Sequence, residues 1–403
     1  MRIVIAIPWY DDALAARGAA AYLRARPLQR QLGAALAQAG HEVEVVMSFP
    51  HDAVVKDQHV ELRMISPGPA ARALGSVARR LGRARALYEP ALRAIDAIVR
   101  ARPDVVHFHG TTLHLNLALL ASRLRDEALV VQYHGGGAVA KNPASRALQR
   151  AGLARADRVL FTSAEQAHAF LSAGALRSEA QVRTALEVST TMTAPDRDQA
   201  RRRSGLTGDP VFVSAGRLHP EKNPLTVLRG FEIIARSWRE ARLYLCYTSD
   251  ELLPSLRGYV AERPALGERV RFLGRVAHED MPAILGSADF FVQASLREVA
   301  SYAAIEAVAA GAVPVLSRIG PFEAITAGGR FGVLFAVGDA EDLAQRVLAV
   351  DRSELPALRV ALRAHFDAHL SFPALARRLE TIYAEAIRSR RASSKNESGD
   401  TTK

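Results

Sequence analysis

VFVSAGRLHPEKNPL, residues 211–225, is the stretch on which the fold turns. Val211 to Ala215 is a short, β-branched and apolar run of the kind that forms a buried strand. Gly216 ends it and lets the backbone turn sharply. A helix begins near Pro224, so Arg217 and Lys222 fall on a loop at a helix N-terminus, where free N–H groups and the helix dipole already favour an anion. A diphosphate suits that place, and arginine offers it a two-pronged donor. Taken alone, the same loop also reads as an ordinary solvated basic turn.

Working outward, strand-like and helix-like segments alternate along nearly the whole chain, the pattern of parallel sheets with helices on both faces. Strands are expected at Arg2–Ile7, Glu42–Met47, Val60–Ile65, Asp104–Phe108, Leu129–Tyr133 and Arg158–Thr162. A second series follows at Val211–Ala215, Arg242–Tyr247, Arg269–Leu273, Asp289–Gln293 and Val313–Leu316. Helical stretches include Ala19–Ala39, Ala70–Ala101 and Pro143–Ala154. The fold class is therefore α/β, with two Rossmann-like, doubly wound domains. The expected limits are 1–189 for the first domain, 190–209 for a polar linker and 210–371 for the second domain. A helix over 372–388 and a disordered polar tail over 389–403 complete the chain. Ligands of open parallel sheets bind beyond the carboxyl ends of the strands. Two such sheets facing each other would hold a ligand in the cleft between them.

Composition narrows the class. The 403 residues are 49% hydrophobic, enough for two cores and unlike a disordered chain. No run approaches the ~20 apolar residues of a membrane-spanning helix, and Ile3 to Trp9 is too short for a secretory signal. The single cysteine, Cys246, reads as a buried core residue and fits a reducing, cytoplasmic setting. A net charge of +11 favours anionic partners. Nucleic acid is disfavoured, because aromatics make up only 6% and no recognition module appears.

A second constellation lies at Glu298-Val299-Ala300-Ser301-Tyr302 and continues to Glu306. Glu298 falls in the loop after a strand. Glu306 falls in a helix otherwise apolar on every side, where a carboxylate is costly unless it receives hydrogen bonds. Ribose hydroxyls would supply them, Glu298 would accept from sugar hydroxyls, and the N–H groups of 299–302 would point at the ligand. The bland alternative pairs Glu306 with a core arginine and makes Glu298 a helix cap.

Strand, GRxxxxK, helix and then E-x7-E resembles the family-4 glycosyltransferases of the GT-B fold. The likeness extends along the chain through Gly40-His41-Glu42-Val43, Asp104-Val105-Val106-His107-Phe108-His109-Gly110, Tyr133-His134-Gly135, Ala156-Asp157-Arg158-Val159 and Gly332-Val333-Leu334-Phe335-Ala336-Val337-Gly338-Asp339. The resemblance implies retaining transfer from a nucleotide-diphosphate sugar, as a co-substrate and without cofactor or metal, to a hydroxyl acceptor. Arg217 and Lys222 would bind the diphosphate, with Gly216 beside them. Glu306 would hold the ribose, Glu298 the transferred sugar, and His134 would line the cleft near sugar and acceptor. Gly18, His109 and Gly135 would join it on the acceptor side. Several positions depart from the family pattern. Asp11 to Ala19 lacks the paired glycines after the first strand, EGFG becomes Glu298-Val299-Ala300-Ser301, and the usual Asn-Gly turn becomes Leu186-Glu187-Val188. A later glycine pair is reduced to Gly320-Pro321-Phe322-Glu323. These mark a divergent subfamily.

Rival readings are a non-catalytic sugar-nucleotide binder, and an epimerase or phosphorylase on a similar fold. His107 and His109 share one strand face, a chelating geometry, but no carboxylate cluster or cysteine pair completes a metal site beside them. Arg72 to Arg85 carries five arginines and no acid, with Leu74, Val77, Ala78 and Leu81 at helical spacing. It reads either as a solvated helix face or as a basic amphipathic helix for peripheral contact with an anionic membrane.

Overall fold

A computed structural model describes residues 1–25, 27–57, 60–81, 89–135, 140 and 142–399. The chain divides into two compact units, Met1–Glu187 with Phe372–Lys403, and Val188–Ser371.

The first unit holds an eight-stranded sheet. Its strands are β1 (Arg2–Ile7), β2 (Glu42–Ser48), β3 (Ala53–Asp57), β4 (Val60–Ile65), β5 (Val105–His109), β6 (Ala128–Gln132), β7 (Arg158–Phe161) and β8 (Val182–Thr184). Their order is β3-β4-β2-β1-β5-β6-β7-β8, parallel except for the antiparallel edge strand β3. Strand side chains alternate between faces, and both faces are covered. Ile3, Ile5 and Ile7 pack with Leu32, Leu36, Leu379 and Tyr383, which come from the helices Pro27–Gln38 and Phe372–Gly399. Val4, Ala6, Val106 and Phe108 pack with Ile95, Leu117 and Leu153 from the helices on the other face. His107 and His109 alternate with Val106 and Phe108, which turns them toward the face that carries Tyr383.

The second unit holds six parallel strands, β9 (Val211–Gly216), β10 (Arg242–Tyr247), β11 (Val270–Gly274), β12 (Phe290–Gln293), β13 (Val313–Ser317) and β14 (Val333–Phe335). Their order is β11-β10-β9-β12-β13-β14.

Two expectations are corrected. Residues 190–209 are an integral part of the second unit rather than a free linker. The helix Arg197–Ser204, capped by Asp196 and closed by left-handed Gly205, packs so tightly on Met281–Ser287 that a Cβ at Gly286 would sit 3.0 Å from that of Ala200. Two of its arginines are drawn inward: Arg197 and Arg201 both pair with Asp289, a buried carboxylate that also accepts from the Val211 N–H at 2.8 Å, while Arg202 and Arg203 stay exposed. The tail is likewise not irregular from residue 389, because the last helix runs from Phe372 to Gly399. Arg390 holds it beyond the expected end, with a guanidinium nitrogen 2.8 Å from buried Asp157 and a hydrogen bond to the Arg155 carbonyl at 2.9 Å. The helical expectation over 70–101 resolves into Pro69–Arg80 and Leu92–Arg100, with 82–88 outside the described residues.

Candidate active site

In the second unit the strand order reverses between β9 and β12, and ligand crevices of open parallel sheets form at such a reversal. Both sequence motifs emerge there. Gly216 ends β9 with φ +157°, and a Cβ at this position would meet nothing within 4 Å, so the space beside its backbone is open. His219 caps the turn Pro220–Lys222, its Nδ1 accepting from the Glu221 N–H at 3.3 Å, and left-handed Asn223 leads into the helix Pro224–Ser237. Arg217 is exposed on this turn, within electrostatic reach of Glu221.

Glu298 follows β12 and is nearly buried. Its Oε1 accepts from Gln293 Nε2 and Ser295 Oγ, both at 2.8 Å, and pairs with Lys222 Nζ. A carboxylate at that depth is tolerated because it has an ammonium and two neutral donors. Ser301 Oγ donates to Gln293 Oε1 at 2.8 Å and accepts from the Ala304 N–H at 3.3 Å, so Ser301, not Glu298, caps the helix Tyr302–Ala310. The two loops are stitched together: the Leu296 N–H donates to the Glu221 carbonyl at 2.8 Å, and Arg297 grips the Glu221 carboxylate. Val299 and Ala300 are half-buried between these anchors, and Tyr302 is exposed at the helix start.

Glu306 lies within the same helix, half-buried. No arginine pairs with it among the described residues. Burial raises its carboxyl pKa, with only the charge of His278 acting the other way. Cys246, buried near this turn, has its thiol pushed up to about 12 by desolvation and so stays an inert thiol.

In the first unit the order reverses between β1 and β5. His109 ends β5 and His134 follows β6. The Nδ1 of His134 lies 2.6 Å from Glu187 Oε2, and its Nε2 lies 2.7 Å from the Nδ1 of His109, with the two rings stacked. His109 is buried behind His134. His107 Nδ1 bonds the Tyr383 hydroxyl at 2.7 Å. Burial holds His107 down to about 3, helped by the charge of His134, and holds His109 well below the usual histidine range, so both are neutral near pH 7. Gly18 and Gly135 adopt φ +87° and +89°, conformations that favour glycine.

Two family models match this chain. One, described as Glycosyltransferase Family 4, matches residues 29–182; the other, described as Glycosyl transferases group 1, matches residues 209–351. The chain belongs to the family-4 glycosyltransferases of the GT-B fold. Over 280 residues the glycosyltransferase is 27% identical to the GDP-mannose:cellobiosyl-diphosphopolyprenol alpha-mannosyltransferase of Xanthomonas oryzae pv. oryzae, a match covering 68% of this chain and 70% of that protein. It is 34% identical over 153 residues to the mannosylfructose-phosphate synthase of Agrobacterium fabrum, but that match spans only 36% of this chain and 34% of the synthase. Among solved structures, sucrose-phosphate synthase of Thermosynechococcus elongatus superposes with a TM-score of 0.68 at 22% identity, over 96% of this chain and 99% of its own. Anabaena HepE in complex with UDP and glucose gives 0.64 at 15% identity, over 95% and 99%. At such identities the structural likeness speaks for the fold alone.

Some neighbours in the glycosyltransferase's site escaped the sequence reading. Gln293 and Ser295 hold Glu298 through side chains that carry no motif. Arg297 and Glu221 join the two loops, yet read as surface charges. Glu187 had a signal, since it stands where the family pattern has Asn-Gly.

Proposed function

We propose that this glycosyltransferase moves a sugar from a nucleoside-diphosphate donor to a hydroxyl acceptor with retention of anomeric configuration. The observation that carries this reading is the meeting of Lys222 and Glu298 at the strand-order reversal, with Glu306 in no ion pair among the described residues. Arg217 and Lys222 bind the diphosphate, the N–H groups of 299–302 and the open backbone at Gly216 approach it, Glu306 takes the ribose hydroxyls, and Glu298 takes hydroxyls of the transferred sugar. The acceptor oxygen bonds to the anomeric carbon on the face from which the phosphate departs. The acceptor proton passes to the departing phosphate oxygen, and the two cations stabilise the charge that builds there. No protein nucleophile and no metal is needed in this scheme. Gly18, His109, His134 and Gly135 belong to the acceptor side.

The acceptor we favour is lipid-linked, at a membrane surface on the cytoplasmic side. The mannosyltransferase relative acts, by its name, on a diphosphopolyprenol-linked sugar. In this chain the helix Pro69–Arg80 buries Ala71, Gly75 and Ala78 but leaves Leu74 57%, Val77 54% and, just past its end, Leu81 69% exposed. Exposed Arg72, Arg79 and Arg80 flank that apolar stripe, which suits an anionic bilayer. Arg79 reaches Asp12 at 3.4 Å, tying this helix to the short helix Asp12–Ala15 that follows β1. Arg83 and Arg85 lie outside the described residues. No described helix is long and apolar enough to cross a membrane.

The test is thermal unfolding with UDP, GDP, ADP and dTDP sugars, with and without EDTA. A ligand at 100 times its Kd adds about 2.7 kcal/mol. Stabilisation by one nucleotide class, insensitive to EDTA and lost in Lys222→Ala, supports the assignment; no stabilisation by any class refutes it.

A further inference from the structure

Glu187 is the last residue of the first unit before the chain enters the second. Its carboxylate, only 9% exposed, lies 2.6 Å from Nδ1 of His134. Its Oε2 is buried and has no hydrogen-bond partner among the described residues as the rings stand, and His134 Nδ1 is the nitrogen set against it. A carboxylate only accepts, so a proton on Nδ1, with a small turn of the ring, is what satisfies it. The other nitrogen, Nε2, faces Nδ1 of His109 at 2.7 Å, and one of those two atoms must donate. His109 is neutral and buried, and its own Nε2 has no hydrogen-bond partner among the described residues. If His134 donated, His109 would carry its proton on that Nε2, burying an N–H without an acceptor at a cost of about 1–3 kcal/mol. If His109 donates from Nδ1, its bare Nε2 buries a lone pair instead, the more commonly tolerated state. The arrangement that leaves no buried N–H without an acceptor is therefore Glu187 accepting from His134 Nδ1–H, and His134 Nε2 accepting from His109 Nδ1–H.

We propose that Glu187 is a positioning residue that fixes the tautomer and ring plane of His134, and through it orders His109. This rests on the reading of His134 as an acceptor-side residue. Because both ring nitrogens are engaged, His134 has no free lone pair to take a proton from the acceptor hydroxyl. It acts by presenting a fixed, partly exposed ring and the backbone that turns at Gly135. That agrees with a proton route to the departing phosphate rather than to a protein base. The pairing is available to this chain because glutamate stands at 187: the Asn-Gly pair of the family pattern brings no carboxylate.

The experiment uses the full chain labelled with 15N-histidine, and compares wild type, Glu187→Gln and Glu187→Ala. Two-bond 15N–1H correlations report which ring nitrogen is protonated. The Nδ1–H form of His134 is expected in wild type and in Glu187→Gln, whose amide oxygen still accepts, and its loss is expected in Glu187→Ala. For transfer, kcat falls roughly 10- to 100-fold in Glu187→Ala, as for a misplaced contact residue, while the donor KM stays within about twofold. Glu187→Gln recovers most of the loss. An Nε2–H form in wild type overturns the proposal, even if neither variant folds. So does a Glu187→Ala protein that keeps the Nδ1–H form, or a Glu187→Gln protein that keeps it yet is as slow as Glu187→Ala. Absence of transfer in wild type would instead count against the proposed activity, and the spectra would still decide the role of Glu187.

Discussion

Glu306→Gln should separate a binding carboxylate from a structural one, because the two roles move stability and affinity in opposite ways. The carboxylate is half-buried in an apolar helix, no arginine pairs with it among the described residues, and burial raises its pKa. A folded pKa raised above the unfolded value means that the charge is destabilising at neutral pH. Removing it with an isosteric amide should stabilise the second unit. The gain is about 1 kcal/mol, at the low end for an unbonded buried group because part of Glu306 still meets water. For a domain of this size that is roughly 2–4 °C in Tm. In the donor complex the carboxylate would accept from ribose hydroxyls. Losing the charge on one such bond costs about 1.5–3 kcal/mol, or roughly 10- to 150-fold in Kd. Calorimetric unfolding without ligand and titration with the nucleoside diphosphate measure the two quantities on the same preparations. A lower Tm with unchanged nucleotide affinity would refute the reasoning, since it would mean that the carboxylate serves the helix and not the ligand.

Lys222→Met keeps the length of the side chain and removes its charge from the departing phosphate, so kcat in a transfer assay should fall at least about 100-fold, the cost of losing about 3 kcal/mol of transition-state stabilisation; a loss under about threefold would exclude that role. His107 should make the first unit acid-sensitive: its folded pKa is about 3 against 6.5 for an unfolded histidine, so between those values the unfolded state binds the extra proton and stability falls as pH falls. From pH 6.5 to pH 5 the loss is about 2 kcal/mol, with buried His109 acting in the same direction, and His107→Gln should flatten the urea-unfolding difference between pH 7 and pH 5. Co-sedimentation with phosphatidylglycerol vesicles should weaken roughly fivefold in Arg80→Gln, on about 1 kcal/mol per basic residue at an anionic surface. It should weaken further in Leu74→Ser/Val77→Ser, with little binding of any form to phosphatidylcholine; equal binding to both lipids would dismiss the membrane surface.

How much of this was legible depended on what each residue type reveals without its neighbours. Strands buried on both faces announce themselves, and β1 and β10 have the limits their apolar runs suggest, while β4 has the limits of an alternation that buries Val60, Leu62 and Met64. The edges do not. β3 is a short antiparallel strand ending in Lys56 and Asp57, while β8 and β14 have three residues each, too few for a pattern. Arg197, Arg201 and Arg390 misled for one reason: an arginine in a polar stretch reads as solvated, and only the fold shows that a buried aspartate waits for it. Asp289 and Asp157 are those aspartates, and each sits at the entry to a strand, where its oxygens also take a backbone N–H, from Val211 in one case and Leu129 in the other. Arg217, Lys222, Glu298 and Glu306 stood out in the sequence because each is a charge where the local pattern gives it no structural employment. Gln293 and Ser295 were not, since neutral side chains near a strand end are common and their bonds to Glu298 depend on a turn that no local rule specifies. Glu187 lies between these cases. A carboxylate replacing a turn of Asn-Gly is conspicuous against the family pattern, but its partner His134 stands more than fifty residues away in sequence, and only the pairing of β6 beside β5 brings the two histidines together for the carboxylate to orient.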